Sequence, residues 1–195
     1  MKKLIYVMAV SISALAFQAC SGGNKDAKES ADSLNQSKDT TTNVAATGGI
    51  AVDEADSKFA TTAAVGGMAE VELGKLALQK STNAQIKEFA TMMVNDHGNA
   101  NMELMEIAKT KNITLPSTVD ADHQKKMDDL SKKTGADFDK AYVSTMVDGH
   151  KSTLKLMEDE SKDGKDADLK AFATKTAPVV QSHLTMINKI NDSMK

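Results

Sequence analysis

The sequence predicts an all-α protein whose folded part is an antiparallel four-helix bundle, with a short extra helix between the second and third long helices. Three observations carry that prediction. Beyond about Asp53, apolar residues recur at spacings of three and four, the signature of helices with one buried face. Helix breakers are scarce, with two prolines in 195 residues. The periodic region also divides into four stretches of 25 to 29 residues, each about 40 Å long as a helix, and two of the three joints between them are tight.

Helix A is expected over about Asp56 to Lys80, B over about Asn83 to Lys111, C over about Ala136 to Ser161 and D over about Asp166 to Met194. Each joint has a chemical cause. Ser81, Thr82 and Asn83 offer N-caps between A and B, "NITLPS" ends B at Pro116, and "KDGKD" parts C from D at Gly164. Between B and C, "TVDADHQKKMDDLSKKTG" reads as a shorter amphipathic helix with Val119, Met127 and Leu130 inward. Phe59, Phe89, Phe138 and Phe172 each stand near the start of one long helix, and plain core packing accounts for them.

Upstream of the bundle the texture differs. Lys2 and Lys3 precede the apolar run "LIYVMAVSISALAF", and Gln18-Ala19-Cys20 follows, so residues 1–19 read as a lipoprotein signal peptide with Cys20 as the acylated thiol. The run is too short for a comfortable membrane span. Lipid on Cys20 would hold the protein at a membrane, most naturally the outer membrane, facing either the periplasm or the surface. Residues 20–53 are polar and rich in Ser, Thr, Asn, Asp and Gly, and are expected to form a flexible tether about 30 Å in r.m.s. span. Residues 54–195 are left for the bundle.

Loss of residues 1–19 takes the formal charge from −3 to −5. With no basic stripe and no tryptophan, the chain lacks the footprint of a nucleic-acid binder. A lone cysteine excludes an internal disulfide, and neither a hydrolase constellation nor a glycine-rich phosphate loop is present.

Three of the four histidines repeat one local context, Val-x-x-His, at His97, His150 and His183. On B, His97 lies within the stripe Ile86, Phe89, Ala90, Met93, Ala100, Leu104 and Ile107. His150 lies within the stripe Val143, Met146, Val147, Leu154 and Met157 of C, and His183 within that of Phe172, Thr176, Val180, Met186, Ile187 and Ile190 on D. Helix A places Glu70 among its inward residues. With the A/B and C/D turns taken to lie at the same end, as in an up-down-up-down bundle, these four groups fall within roughly 10 Å of one another along its length.

Buried imidazoles and carboxylates need partners. Two readings stay open: a single transition metal held by Glu70, His97, His150 and His183, with zinc, copper or iron chemically suitable, or a hydrogen-bonded polar layer without metal. Glu-x-x-His is absent, because valine stands three residues before each histidine, and this argues against a di-iron centre. Met93, Met146 and Met186 put a thioether on the face of each histidine. That would favour copper, although methionine also fills irregular cores. Asp96 and Asp148 lie just off the inward line, so they read foremost as surface charges and otherwise as candidate outer partners; Glu72 is the reserve if helix A is rotated, and His123 reads as a solvated or capping residue.

The segments "MAEVELGKLALQKSTNAQIKEFATMMVNDH", "LSKKTGADFDKAYVSTMVDGHKSTLKLMEDE" and "LKAFATKTAPVVQSHL" resemble an uncharacterised family of bacterial secreted ferritin-like bundles, often labelled outer-membrane proteins. The resemblance spans about Asp56 to Ile190. It implies a ferritin-like fold and an extracytoplasmic location, and it supplies no reaction. Its polar landmarks fall on Glu70, Asp96, His97, Asp139, His150 and His183, and Gly149 departs from the larger residue common before the second histidine. The function expected is an envelope lipoprotein that binds a transition metal for sequestration, sensing or stress protection. The alternative is a structural bundle that contacts another envelope protein.

Overall fold

The structure, a computed structural model, describes residues 26–38 and 53–194. These residues are helical, with no strand among them. The expected signal peptide and Cys20 lie outside the described residues. No helix among the described residues is long and apolar enough to cross a membrane.

The first element, α1 (Ala27–Lys38), falls inside the stretch expected to be a structureless tether, so that expectation is corrected over these twelve residues. Its composition gave no warning, because the helix is docked by polar contacts. The Asn35 amide donates to the Thr114 carbonyl at 2.9 Å and accepts from the Thr114 N–H at 2.7 Å. The Thr61 hydroxyl donates to Asp32 at 2.6 Å, and Lys38 reaches Asn112 and Thr114. Ala31 is the only apolar side chain α1 buries.

The long helices follow closely where periodicity placed them. They are α2 (Glu54–Lys80), the pair α3 (Ala84–Met92) and α4 (Gly98–Thr110) in place of the single helix B, then α6 (Gly135–Asp163) and α7 (Ala167–Ser193), with α5 (Ala121–Ser131) as the short connecting helix. Side-chain caps fix four starts. Asp53 accepts from Ala55 N–H, Asn83 from Gln85 and Ile86, Asp120 from His123, and Asp166 from Asp168 and Leu169. Each is worth about 1 kcal/mol. The end of α4 is set by Asn112 rather than by Pro116: Asn112 takes the left-handed conformation (φ 55°), and the Ile113 N–H turns back to the Ala108 carbonyl at 2.8 Å.

Between α3 and α4 the chain widens into a five-residue π-helical segment, Met93–His97, which periodicity did not reveal. It packs where α2 carries Gly74. A Cβ there would lie 3.0 Å from the Ala90 carbonyl and 3.1 Å from Val94, so only glycine lets the two backbones approach this closely.

α2 is buried on several sides and touches α1, α3, the π segment, α4, α5 and α6. This explains its run of small residues, "TTAAVGGMA". The core has two apolar parts. One gathers Leu73, Ile86, Phe89, Met93, Tyr142, Met146 and Ile187 toward the α2–α3 turn; the other gathers Phe59, Leu104, Met157, Leu169 and Phe172 toward the α6–α7 turn. All four phenylalanines assigned to packing are buried, and Phe59 meets Phe172 edge to face with centroids 6.3 Å apart.

Asp56, only 1% exposed, fastens the α6–α7 turn to the start of α2 by accepting the Lys165 N–H at 3.0 Å and the Asp166 N–H at 2.6 Å. Beside it Glu160 is also buried, with Oε1 unpaired. Burial, aided by the nearby charges of Asp56 and Asp166, pushes the Glu160 carboxyl up to about 7. Because the folded form holds this proton where the unfolded chain has lost it, stability should fall as pH rises from about 5 to 7. Urea titrations of wild type and Glu160→Gln across that interval should show the fall in wild type and a shallower one in the variant. Parallel profiles would mean that Glu160 ionises freely in the fold.

Candidate metal centre

Between the two apolar parts of the core lies a polar layer: Glu70 on α2, His97 at the end of the π segment, His150 on α6 and His183 on α7. Exposure is 5% for Glu70, 5% for His97, 0% for His150 and 2% for His183. The three imidazole rings form a nearly regular triangle with centroids 5.3, 5.6 and 5.6 Å apart. Phe89 covers it from the α3 side, 5.7 Å from His150 and 6.4 Å from His183.

Each imidazole has one nitrogen engaged from outside the triangle and the other buried without a partner. His97 Nδ1 lies 2.9 Å from Glu70 Oε2, at ion-pair distance though off the line of a straight hydrogen bond. His150 Nδ1 donates to the Met146 carbonyl at 2.8 Å, and His183 Nε2 donates to Asp96 Oδ2 at 2.9 Å. The unpartnered atoms are His97 Nε2, His150 Nε2 and His183 Nδ1. An acceptor on one ring nitrogen draws the proton there and leaves the lone pair on the other. Each ring therefore keeps one partnerless nitrogen, which on a neutral imidazole carries a lone pair.

Electrostatics keep His150 and His183 neutral and draw a second proton toward His97. Burial pushes the His97 pKa down, the Glu70 carboxylate pushes it up, and the carboxylate prevails. Burial likewise works to raise Glu70, but His97 and its neighbours hold it below the usual carboxylate range, so the buried acid stays ionised. His150 and His183 are pushed down, burial foremost, and remain neutral near pH 7. Neutral imidazole is the form that binds metal.

One nitrogen from each ring lies within 4.8 Å of the other two. An ion at the centre of such a triangle needs each nitrogen to move inward by at most about 0.7 Å to reach a bond of ~2.1 Å. Rotation about side-chain bonds supplies that much. The outer contacts match the usual support of metal-ligating histidine, in which the second ring nitrogen donates to a carboxylate or a backbone carbonyl.

The residues singled out from sequence fare differently. His97, His150 and His183 come together. Glu70, expected as a fourth ligand, stands behind His97 instead, with its Oε1 3.8 Å from His150 Nδ1 and 3.4 Å from the Thr153 hydroxyl. Asp96 is an outer partner. Asp148 is exposed on α6, and Glu72 is exposed and paired with Lys75 at 2.7 Å, so neither belongs to the site. Met146 contributes its carbonyl, while Met93, Met146 and Met186 place their side chains in the adjoining apolar cluster. Asp139 lies eleven residues before His150, about 16 Å along α6. His123 lies in the first turn of α5, where its N–H and ring Nδ1 both meet the capping Asp120, and it lines the cleft that reaches Glu70 without joining the triangle.

Residues 39–190 match the family described as "Domain of unknown function (DUF4142)". The chain belongs to this family. The match begins at residue 39, inside the stretch that sequence reading gave to the tether. No curated protein matches. Among solved structures, the crystal structure of a DUF305 fragment from Deinococcus radiodurans is similar with a TM-score of 0.64, covering 73% of this chain and 98% of that one at 7% identity. That likeness is one of fold.

Sequence reasoning missed three contributors in this DUF4142 chain. The π segment left no periodic trace. The Met146 carbonyl is invisible to any side-chain pattern, and Thr153 was signalled only by standing three residues after His150. As a buried group with an orphaned nitrogen costs stability, His150→Leu should stabilise the metal-free protein by about 1 kcal/mol. A thermal melt in the presence of chelator checks this, and a loss of stability would mean that His150 Nε2 has a partner in solution.

Proposed function

We propose that this DUF4142 protein binds a single transition metal ion in its core, through His97 Nε2, His150 Nε2 and His183 Nδ1, and serves metal sequestration, sensing or stress protection. The observation that carries this reading is the convergence of three buried imidazoles, each with one ring nitrogen that has no partner. Glu70, the Met146 carbonyl and Asp96 support it as the outer partners that orient the rings. Zinc, copper and iron all accept three imidazoles, and a fourth coordination position stays open for water or a further ligand.

The rival reading, a structural layer of hydrogen-bonded histidine and glutamate, explains the outer half of each imidazole and leaves the inner half unexplained. A proton on His97 Nε2 would serve one of the other two lone pairs; the last would remain bare at a cost of about 1–3 kcal/mol. An ion satisfies all three at once.

In this proposal the helices take the ferritin-like four-helix arrangement, and the protein is held in the cell envelope by lipid on Cys20, most naturally at the outer membrane. The support is the positively charged start, the apolar run and the cysteine at its end. An envelope protein partner is compatible with such a location.

Elemental analysis of residues 21–195 purified without an affinity tag should find about one transition-metal ion per chain, absent from the triple variant His97→Ala, His150→Ala, His183→Ala. A metal-free wild type that resists reconstitution with zinc, copper and iron would sink the proposal. For the anchor, a labelled fatty acid fed to expressing cells should appear on the wild-type chain and vanish from Cys20→Ser; label that persists would assign the acylation elsewhere.

A further inference from the structure

An ion bound by the three histidines must first reach them, and all three are sealed from solvent. Two routes approach the layer. One is a cleft of about 730 Å³ between α2 and α6, bordered by Gly66, Gly149 and Ser152 and reaching Glu70. An ion arriving there meets the outer side of the imidazoles, where His97 Nδ1 already faces Glu70 and His150 Nδ1 already donates to the Met146 carbonyl. The lone pairs lie on the far side of the rings.

The other is the solvent-exposed edge of the layer at Asp96. Its side chain is 44% exposed, and its Oδ2 sits 2.9 Å from His183 Nε2, while Nδ1 of the same ring is among the three converging nitrogens. One imidazole thus touches a solvent-facing carboxylate on one edge and the interior on the other. Glu70, the other acid of the site, is enclosed in the core. Asp96 forms no ion pair with a lysine among the described residues, so no ammonium offsets its charge. It also sits in the π segment, directly before His97 and followed by Gly98, around which a Cβ would meet nothing within 4 Å.

We propose that Asp96 captures the incoming divalent cation at the surface and passes it inward through His183, so that this carboxylate sets the rate of metal uptake as well as the orientation of the ring. This rests on the metal reading above. The Asp96 carboxylate holds the hydrated ion beside the ring that donates to it, and a swing of the His183 side chain lets the ion pass to the Nδ1 on its inner edge. An uncompensated negative charge at the mouth raises the arrival rate of cations, and that gain is screened by salt.

The test is stopped-flow uptake of Zn²⁺ by metal-free residues 21–195, followed with a chromophoric chelator at low and high ionic strength. Asp96→Asn keeps an oxygen that accepts from His183 Nε2 but loses the charge. It should load about tenfold more slowly, with most of the salt dependence gone and the final stoichiometry unchanged. Asp96→Glu should recover the rate. Gly149→Leu, which narrows the α2–α6 cleft at a position where a Cβ meets nothing within 4 Å, should load as wild type does. Wild-type uptake rates in Asp96→Asn, or slowed uptake in Gly149→Leu, would overturn the role of Asp96 while leaving the metal site standing. A wild type that takes up no Zn²⁺ and contains no other metal would overturn both.

Discussion

Three partnerless ring nitrogens buried in one apolar space are the constraint around which this molecule is arranged. Each imidazole is oriented by an acceptor outside the triangle, and each acceptor comes from a different kind of source: a buried carboxylate on α2, a carbonyl within α6 and a partly exposed carboxylate in the π segment. The outcome is a layer of neutral nitrogen donors between two apolar clusters. In the absence of an electrophile such a layer is costly, and in its presence it becomes a site. The fold therefore sets aside stability that an apolar layer would have supplied.

The surrounding elements keep that layer in place. Gly74 lets α2 press against the π segment, and the π segment sends two adjacent residues in different directions, Asp96 toward α7 and His97 toward α2. Phe89 closes the layer toward one apolar cluster. At the far end, Asp56 ties the α6–α7 turn to α2, which fixes the height of His150 and His183 relative to Glu70.

Glu70 illustrates how placement decides a role. From sequence it is an inward carboxylate at the height of the histidines, and a carboxylate is a competent metal ligand. In the structure it faces Nδ1 of His97, on the side away from the lone pairs. There its charge keeps the His97 proton on Nδ1 and strengthens the nitrogen that points inward. A difference of a few ångströms turns a ligand into a support.

Local sequence determined most of the architecture. Periodicity placed the long helices, and short polar residues at Asp53, Asn83, Asp120 and Asp166 marked where helices begin, because a helix start exposes backbone donors that only nearby side chains can reach. It also put His97, His150 and His183 on inward faces at similar heights. Tertiary structure alone decided which nitrogen of each ring faces the others, that Glu70 backs the triad while Asp96 joins it, that the chain widens at Met93–His97, and that α1 docks on residues seventy-nine positions away through Asn35 and Thr114. The physical reason is common to all four. A helical period records only whether a side chain is buried, whereas tautomers, outer contacts and polar docking depend on hydrogen bonds between residues distant in sequence, whose directions are fixed only once the helices have packed.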